Sequence, residues 1–451
     1  MNTADPCKNL HITTFGCQMN VYDSERLAGL LSAQGYRRVE DIKSADLIIL
    51  NTCSVRQRAE HKVYSFLGGL KELKKNKPWL LIGVGGCVAQ QEGKKLLEDI
   101  PHLDFVFGTG VLERVPELLA QAAAGRRRAL TTLHGAQAMP RSLLPLRPGL
   151  KALVTVMQGC DNFCAYCVVP YLRGRERSRP AEEVTQEAAA LAEAGVKEVA
   201  LLGQNVNSYH DPATGLDFPG LLAKVAEVSG ILRIRFTTSH PKDLSPGLME
   251  AMSGIPQVME EMHLPVQAGS DRVLKAMNRG YSRAQYLHKV AELKKRVPSV
   301  ALGSDLIVGF PGESEEDFQQ SLSILQAVRY DYLYSFKYSD RPFTKASRLA
   351  GKLPDAVKAE RLVRLQALQR EQSLALHREL VGQVEEVLVE GPAKKGEGLM
   401  TGRSRAGRAV NFPGPPDLAG SLVKVIIKEG RVNSLRGRLW PPAEGEEPWS
   451  A

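Results

Sequence analysis

The string GCDNFCAYC (residues 159–167) places three cysteines, Cys160, Cys164 and Cys167, in one short, mostly polar stretch. A thiolate is a soft anionic ligand, suited to zinc and to iron–sulfur clusters. A closed structural zinc site needs a fourth ligand close by, and no Cys or His follows until His210. Three thiolates on a four-iron cluster would leave one iron without a protein ligand, open for chemistry. The apolar run just before, 153–157, reads as a strand, which sets the cysteines at a strand's C-terminal end. Packing alone does not call for three of them there.

Outward from this loop the chain alternates strand and helix. Candidate strands are 153–157, 198–202, 232–237, 262–266, 301–308 and 332–338, with helical patterns at 181–194, 216–228, 283–296 and 315–328. Six such units predict a partial (β/α) barrel open on one side rather than a full eight-unit one, closed by a polar helix over 355–380. Towards the N-terminus, strands at 10–15, 45–50 and 80–84 alternate with helices at 22–34 and 56–75, which implies a parallel sheet with right-handed crossovers. Residues 125–149 show no period and read as a linker. Beyond 381 the pattern becomes short alternating runs punctuated by glycine, as in a small antiparallel β-barrel. The α/β chain thus divides into 8–125, 146–378 and 379–441, with a Pro- and Glu-rich tail that reads as disordered.

A chain of 451 residues is too long for one ordinary core, and 43% hydrophobic with 24% charged residues suits a globular protein. No apolar run reaches the ~18 residues needed to span a bilayer, and residues 1–10 lack a signal-peptide core. The expectation is a cytoplasmic protein with no membrane partner, in a compartment where structural disulfides are uncommon. The net charge of +9 points to a polyanionic partner once it localises. It does so in residues 381–440, where ten Lys and Arg face six Asp and Glu.

Three more cysteines, Cys17, Cys53 and Cys87, each close an expected parallel strand, in TTFGC, ILNTC and GVGGC. Strand C-termini of a parallel sheet share one edge, where ligand sites collect, and Gly16, Gly85 and Gly86 beside them allow close backbone approach. Three half-buried cysteines near strand ends would leave the same pattern, so these residues alone decide nothing. Cys7 has no partner in either set and reads as a spare thiol.

The C-x-x-x-C-x-aromatic-C spacing, with Tyr166 as the aromatic, resembles the signature of radical S-adenosylmethionine enzymes. That resemblance implies a [4Fe–4S] cluster on Cys160, Cys164 and Cys167, with S-adenosylmethionine on its open iron and Tyr166 beside the cofactor. FGCQMN, NTCSVR and GGC resemble the N-terminal domain of the methylthiotransferases, which implies a second [4Fe–4S] cluster on Cys17, Cys53 and Cys87 that handles sulfur. Four further strings, GCDNFCAYCVVPYLRGRERSRP, LGQNVNSY, HLPVQAGSDRVLKAMNRGY and DLIVGFPGESEEDF, are similar to the branch that methylthiolates C2 of N6-isopentenyladenosine beside the tRNA anticodon. YSDRPFT (338–344) departs from that family's usual string. The terminal barrel resembles the TRAM module, an RNA-binding domain. The implied partners are the tRNA anticodon stem-loop, an electron donor such as a flavodoxin or ferredoxin, and a sulfur donor.

Polar residues expected at barrel strand ends, Gln204, Asn205, Ser239, Gln267 and Asp305, are candidates to hold S-adenosylmethionine, with Gly309, Pro311 and Gly312 shaping a turn near it. His240 and His263 read as structural, and LRGRERSR (172–179) as a grip on substrate phosphates or a solvated basic surface. The competing readings are a methylthiotransferase for threonylcarbamoyladenosine or for a ribosomal-protein aspartate, and a non-catalytic iron–sulfur RNA-binding protein.

Overall fold

The computed structural model describes residues 8–54, 57–133 and 149–441. Its first unit is a six-stranded, wholly parallel sheet: β1 (Lys8–Phe15), β2 (Tyr36–Arg38), β3 (Leu47–Thr52), β4 (Leu81–Gly86), β5 (Phe105–Phe107) and β6 (Arg128–Leu130), in the order β2-β1-β3-β4-β5-β6. β3, LIILNT, is buried at every position because it lies mid-sheet with helices on both faces. Leu47 and Ile49 join one core with Leu27, Leu31 and Phe105, while Ile48 and Leu50 join another with Val63, Leu67 and Ile82. The expected linker therefore begins later: residues 128–130 add an edge strand, and 134–148 lie outside the described residues. The expected helix over 56–75 is two, Gln57–Gly69 and Lys71–Asn76, separated just after a Gly68–Gly69 pair.

The central unit holds β7 (Lys151–Thr155), β8 (Met157–Gln158), β9 (Arg177–Ser178), β10 (Glu198–Leu202), β11 (Arg233–Thr237), β12 (Glu261–His263), β13 (Ala301–Val308) and β14 (Tyr332–Lys337). Two parallel three-stranded sheets, β7-β10-β11 and β12-β13-β14, are joined by a bridge between Ile234 and Val258, and among the described strands β7 does not pair with β14. This is the six-strand partial barrel, open on one side. Its core runs from Val154 and Leu201 through Phe236 to Leu306 and Phe318, between strands and outer helices. The run at 153–157 is not one strand. It breaks at Val156, and Met157–Gln158 pairs antiparallel with Arg177–Ser178, so the cysteine loop is an excursion between the strands of this ribbon.

The last unit is a closed five-stranded barrel: β15 (Val384–Pro392), β16 (Leu399–Ser404), β17 (Ala409–Pro413), β18 (Leu422–Gly430) and β19 (Leu435–Leu439). Val387, Val389, Met400, Val410, Phe412, Val425, Ile427 and Leu435 fill it. It is not antiparallel throughout, since β17 and β19 close it in parallel. The tail from 442 lies outside the described residues, as does Cys7. Among the described residues no helix is long and apolar enough to cross a membrane.

Candidate cluster and cofactor site

Strand register explains why three distant cysteines meet. Phe15, Thr52 and Gly86 stand on one rung of the parallel ladder. Cys53 and Cys87 are the next residues on their strands, and Cys17 follows Phe15 by two. Cys17 caps the Gln18–Ser32 helix, and Cys87 opens the Cys87–Glu92 helix. Asn20 and Asn51, both fully buried, bind this edge together: Asn20 Nδ2 donates to Asn51 Oδ1 (3.2 Å) and to the Thr52 carbonyl (3.1 Å), and Asn51 Nδ2 donates to the Asn20 carbonyl (2.8 Å). Gly86 has φ +89°, and a Cβ there would lie 2.3 Å from the Thr52 carbonyl oxygen, so only glycine lets the two strand ends close up.

The Cys53 thiol hydrogen-bonds both neighbours and is itself held protonated. That bond, with the charge of Arg173, pulls the Cys17 thiol down to about 6 and Cys87 to about 7, against the opposing effect of burial. Among the described residues no three His, Cys, Asp or Glu side chains are placed to share a single metal ion. Three thiols gathered at one sheet edge, two of them biased toward the thiolate, are soft anionic ligands of the kind an iron–sulfur cluster takes.

The second triplet is clamped on several sides. Gly159, at φ +85°, donates to Gln204 Oε1 (2.5 Å), and a Cβ there would lie 2.0 Å from the Arg175 carbonyl oxygen. The Ala165 N–H donates to the Met277 carbonyl (2.9 Å), and the Ala346 N–H to the Ala165 carbonyl (2.8 Å). Burial pushes the Cys160 thiol up to about 11 and Cys167 to about 12, so thiolates here call for a cation. One already present went unseen in the sequence. Arg279, only 4% exposed, donates to Cys164 Sγ (3.2 Å), Tyr166 Oη (3.3 Å), the Pro265 carbonyl (2.7 Å) and Tyr281 Oη (2.9 Å). Tyr166 packs half-buried beside Ala165, Ala268 and Phe310.

Four buried polar atoms beyond β10 and β11 have no partner: Gln204 Nε2, Asn205 Oδ1, Ser239 Oγ and His240 Nε2. Buried polar groups are normally satisfied, so this cluster of donors and acceptors matches a small polar ligand such as S-adenosylmethionine. His240, read as structural, joins that set. Its ring accepts from the Lys242 N–H, and burial with the charges of Arg279, Lys242 and Lys289 holds it neutral, down to about 2. Gln267 lies beyond β12 at φ +73°, with its N–H on the Asp305 carbonyl. Asp305 differs from expectation. It sits within β13, not past its end, and its Oδ1 meets His263 Nε2 at 3.0 Å.

A cavity of about 630 Å³ opens along the unpaired side of the barrel. Gln18, next to Cys17, lines it, together with Arg235, Glu261, Tyr332, Tyr334 and Arg408. The ring of His263 stacks over Tyr332, and Tyr334, half exposed, meets both rings edge-on. LRGRERSR is only in part a surface. Arg173 is buried on Asp23 and Arg179 on Glu187, while Arg175 stands out 73% exposed beside Asp161. Nor is all of the last barrel's basic excess outward, since Arg405 and Arg408 bond the central unit.

Three family models match the chain in order: Uncharacterized protein family UPF0004 over 9–108, the Radical SAM superfamily over 154–325 and the TRAM domain over 378–440. The chain is 51% identical over 436 residues to the tRNA-2-methylthio-N(6)-dimethylallyladenosine synthase of Geobacter metallireducens, covering 96% of this chain and 98% of that one. It is 48% identical to the enzyme of the same name from Syntrophus aciditrophicus, covering 96% and 94%. Among solved structures, the radical S-adenosylmethionine methyltransferase TsrM of Kitasatospora setae superposes with a TM-score of 0.55 at 14% identity, over 87% of this chain and 80% of that one. The cobalamin-dependent S-adenosylmethionine radical enzyme OxsB does so at 0.51 and 12%, over 81% and 56%. These two likenesses show the fold.

Proposed function

The chain belongs to the tRNA-2-methylthio-N(6)-dimethylallyladenosine synthases, and from that membership we propose that it adds a methylthio group to C2 of N6-isopentenyladenosine beside the tRNA anticodon. It is a radical S-adenosylmethionine enzyme, a class that carries an iron–sulfur cluster. Our reading assigns one [4Fe–4S] cluster to Cys160, Cys164 and Cys167, and a second to Cys17, Cys53 and Cys87. When bound, these groups and S-adenosylmethionine supply radical activation of a C–H bond too inert for acid–base chemistry, and the sulfur that replaces the hydrogen.

The protein's own share is positioning. Gln204, Asn205, Ser239 and His240 offer the orphaned atoms to S-adenosylmethionine, Tyr166 and Gln267 shape its pocket, and the Asp305–His263 pair lines the wall below. Tyr332 and Tyr334 present aromatic faces to the cavity, suited to stack a base turned out of the anticodon loop. Exposed Lys424, Arg436 and Arg438 of the TRAM barrel suit phosphate contact. An electron donor such as a flavodoxin or ferredoxin and a sulfur donor complete the system, in the cytoplasm.

The observation that carries the two-cluster reading is the meeting of Cys17, Cys53 and Cys87 at one rung of a sheet, apart from the local triplet. Iron and sulfide analysis with EPR tests it on two variants, Cys160/164/167→Ala and Cys17/53/87→Ala. Each is expected to keep about half of the wild-type iron. Retention of all the iron by the second variant would remove the auxiliary cluster. Nucleoside mass spectrometry of tRNA from a deletion strain tests the substrate, since the methylthio-isopentenyl nucleoside must disappear. Failure to form 5′-deoxyadenosine after anaerobic reconstitution would favour a non-catalytic RNA-binding protein.

A further inference from the structure

Arg173 ends the short Val169–Arg173 helix that follows the second cysteine triplet, yet it reaches the first. The helix is held there by packing: Cys87, Val168 and Leu172 form one apolar cluster, and Thr109 Oγ1 donates to the Leu172 carbonyl at 2.5 Å. The side chain is 4% exposed. Its Nη2 meets Asp23 Oδ2 at 3.0 Å, and Asp23 lies on the helix that opens at Cys17. Its Nη1 is buried with no partner. The charge is felt at both Cys17 and Cys87. A guanidinium serving only as a strut would turn its donors to the carboxylate. Here one nitrogen is spent on Asp23 while Nη1, with no well-formed bond of its own, is turned to the thiols, where the guanidinium already favours the Cys87 thiolate, and a buried cationic donor so placed calls for an anion.

We propose that Arg173 is a positioning residue of the Cys17/Cys53/Cys87 site, held by Asp23 so that its free nitrogen donates to the anionic sulfur bound there. The proposal rests on the reading that this triplet carries a cluster. A fixed cation and a hydrogen bond to sulfur stabilise the more reduced, more negative state, and so raise the reduction potential. Arg173 also ties the peptide that carries the second triplet to the sheet edge that carries the first.

The test uses the full chain, anaerobically reconstituted, in the Cys160/164/167→Ala background, where only the first site remains to be read. EPR-monitored redox titration compares Arg173, Arg173→Lys and Arg173→Gln. Arg173→Gln is expected to keep its iron with a more negative midpoint potential and altered EPR line shape, and Arg173→Lys to recover part of the shift. Should Arg173→Gln not fold, Arg173→Met removes the same charge and donor with a side chain suited to burial, and the same direction of shift is expected. An unchanged potential and line shape in the variant that folds would overturn the proposal. So would equal loss of iron and melting temperature in the Lys and Gln variants, the mark of a simple strut. A background protein without any iron would instead overturn the underlying reading, and the proposal with it.

Discussion

A guanidinium shut inside a protein must be ringed by acceptors, and Arg279 is ringed by a thiol sulfur, two tyrosine hydroxyls and a carbonyl. Arg279→Met would take the guanidinium from the Cys164 sulfur and the Tyr166 hydroxyl, each at a cost on the order of 1–3 kcal/mol, while the Tyr281 hydroxyl keeps its bonds to the Pro265 and Val266 carbonyls. The expected outcome is a lower melting temperature and loss of the iron held by Cys160, Cys164 and Cys167, with the other half retained; full iron content would count against Arg279 as support for the loop. His240 yields a pH signature. Its folded pKa, about 2, lies below its ordinary 6.5, so between those values the unfolded chain takes a proton that the folded chain refuses. Its contribution to stability is therefore complete above pH 6.5 and is lost as pH falls, by up to ~1.4 kcal/mol per unit. Melts of wild type and His240→Gln should converge on acidification, and parallel profiles would refute the buried neutral ring. Cys160, Cys164 and Cys167 stood out in the sequence because their spacing is local, whereas Cys17, Cys53 and Cys87 carry no local spacing and come together only through strand register. Arg279 was not legible, because its bond to Cys164 spans 115 residues, and Arg173 and Arg179 were read as a basic surface because charge does not report burial.

At the scale of the element, candidate ligands gather where parallel strands end: Cys53 and Cys87 directly follow β3 and β4, and the unpartnered atoms of Gln204, Asn205, Ser239 and His240 lie beyond β10 and β11. Gly86 tests the rule at its tightest point. A methyl group there would strike the Thr52 carbonyl, in a backbone conformation that L-residues rarely adopt. Gly86→Ala should spread β3 from β4 at the rung before Cys53 and Cys87. The expected result is loss of the first site's iron with the second site's iron intact, measured in the same iron assay as the cysteine variants; an unchanged iron content would show that the edge tolerates opening. Long strands with strong apolar runs, such as β10 and β13, were legible at their observed bounds. The three-residue β2, β5 and β6 were not, because a run that short carries no period. The β8–β9 ribbon escaped for another reason. Its pairing joins residues on either side of the cysteine loop, and no pattern within either segment announces it.

At the scale of the whole molecule, the TRAM barrel sits on the end of the central barrel opposite the cysteines. Its partners there precede or begin strands: Arg405 donates to the Pro256 and Val258 carbonyls, Arg408 pairs with Asp331, and buried Arg233 reaches the Arg403 carbonyl and Glu386. An RNA held by the TRAM barrel must therefore run along the open side to reach the strand C-termini, past the cavity that links Arg408 to Gln18. The basic excess visible in the sequence divides accordingly. Arg405 and Arg408 fasten the domain, whereas Lys424, Arg436 and Arg438 face outward from β18 and β19. Lys424→Glu/Arg436→Glu/Arg438→Glu should weaken tRNA binding and flatten its dependence on salt, by roughly 0.7–0.9 in the log–log slope for each phosphate left without its cation. Arg408→Ala should leave that slope in place but loosen the docked barrel, seen as an earlier, separate melting step. Wild-type affinity and slope in the triple variant would move the RNA to another face. A flattened slope in Arg408→Ala would mean that the strut and the RNA-binding face are one surface.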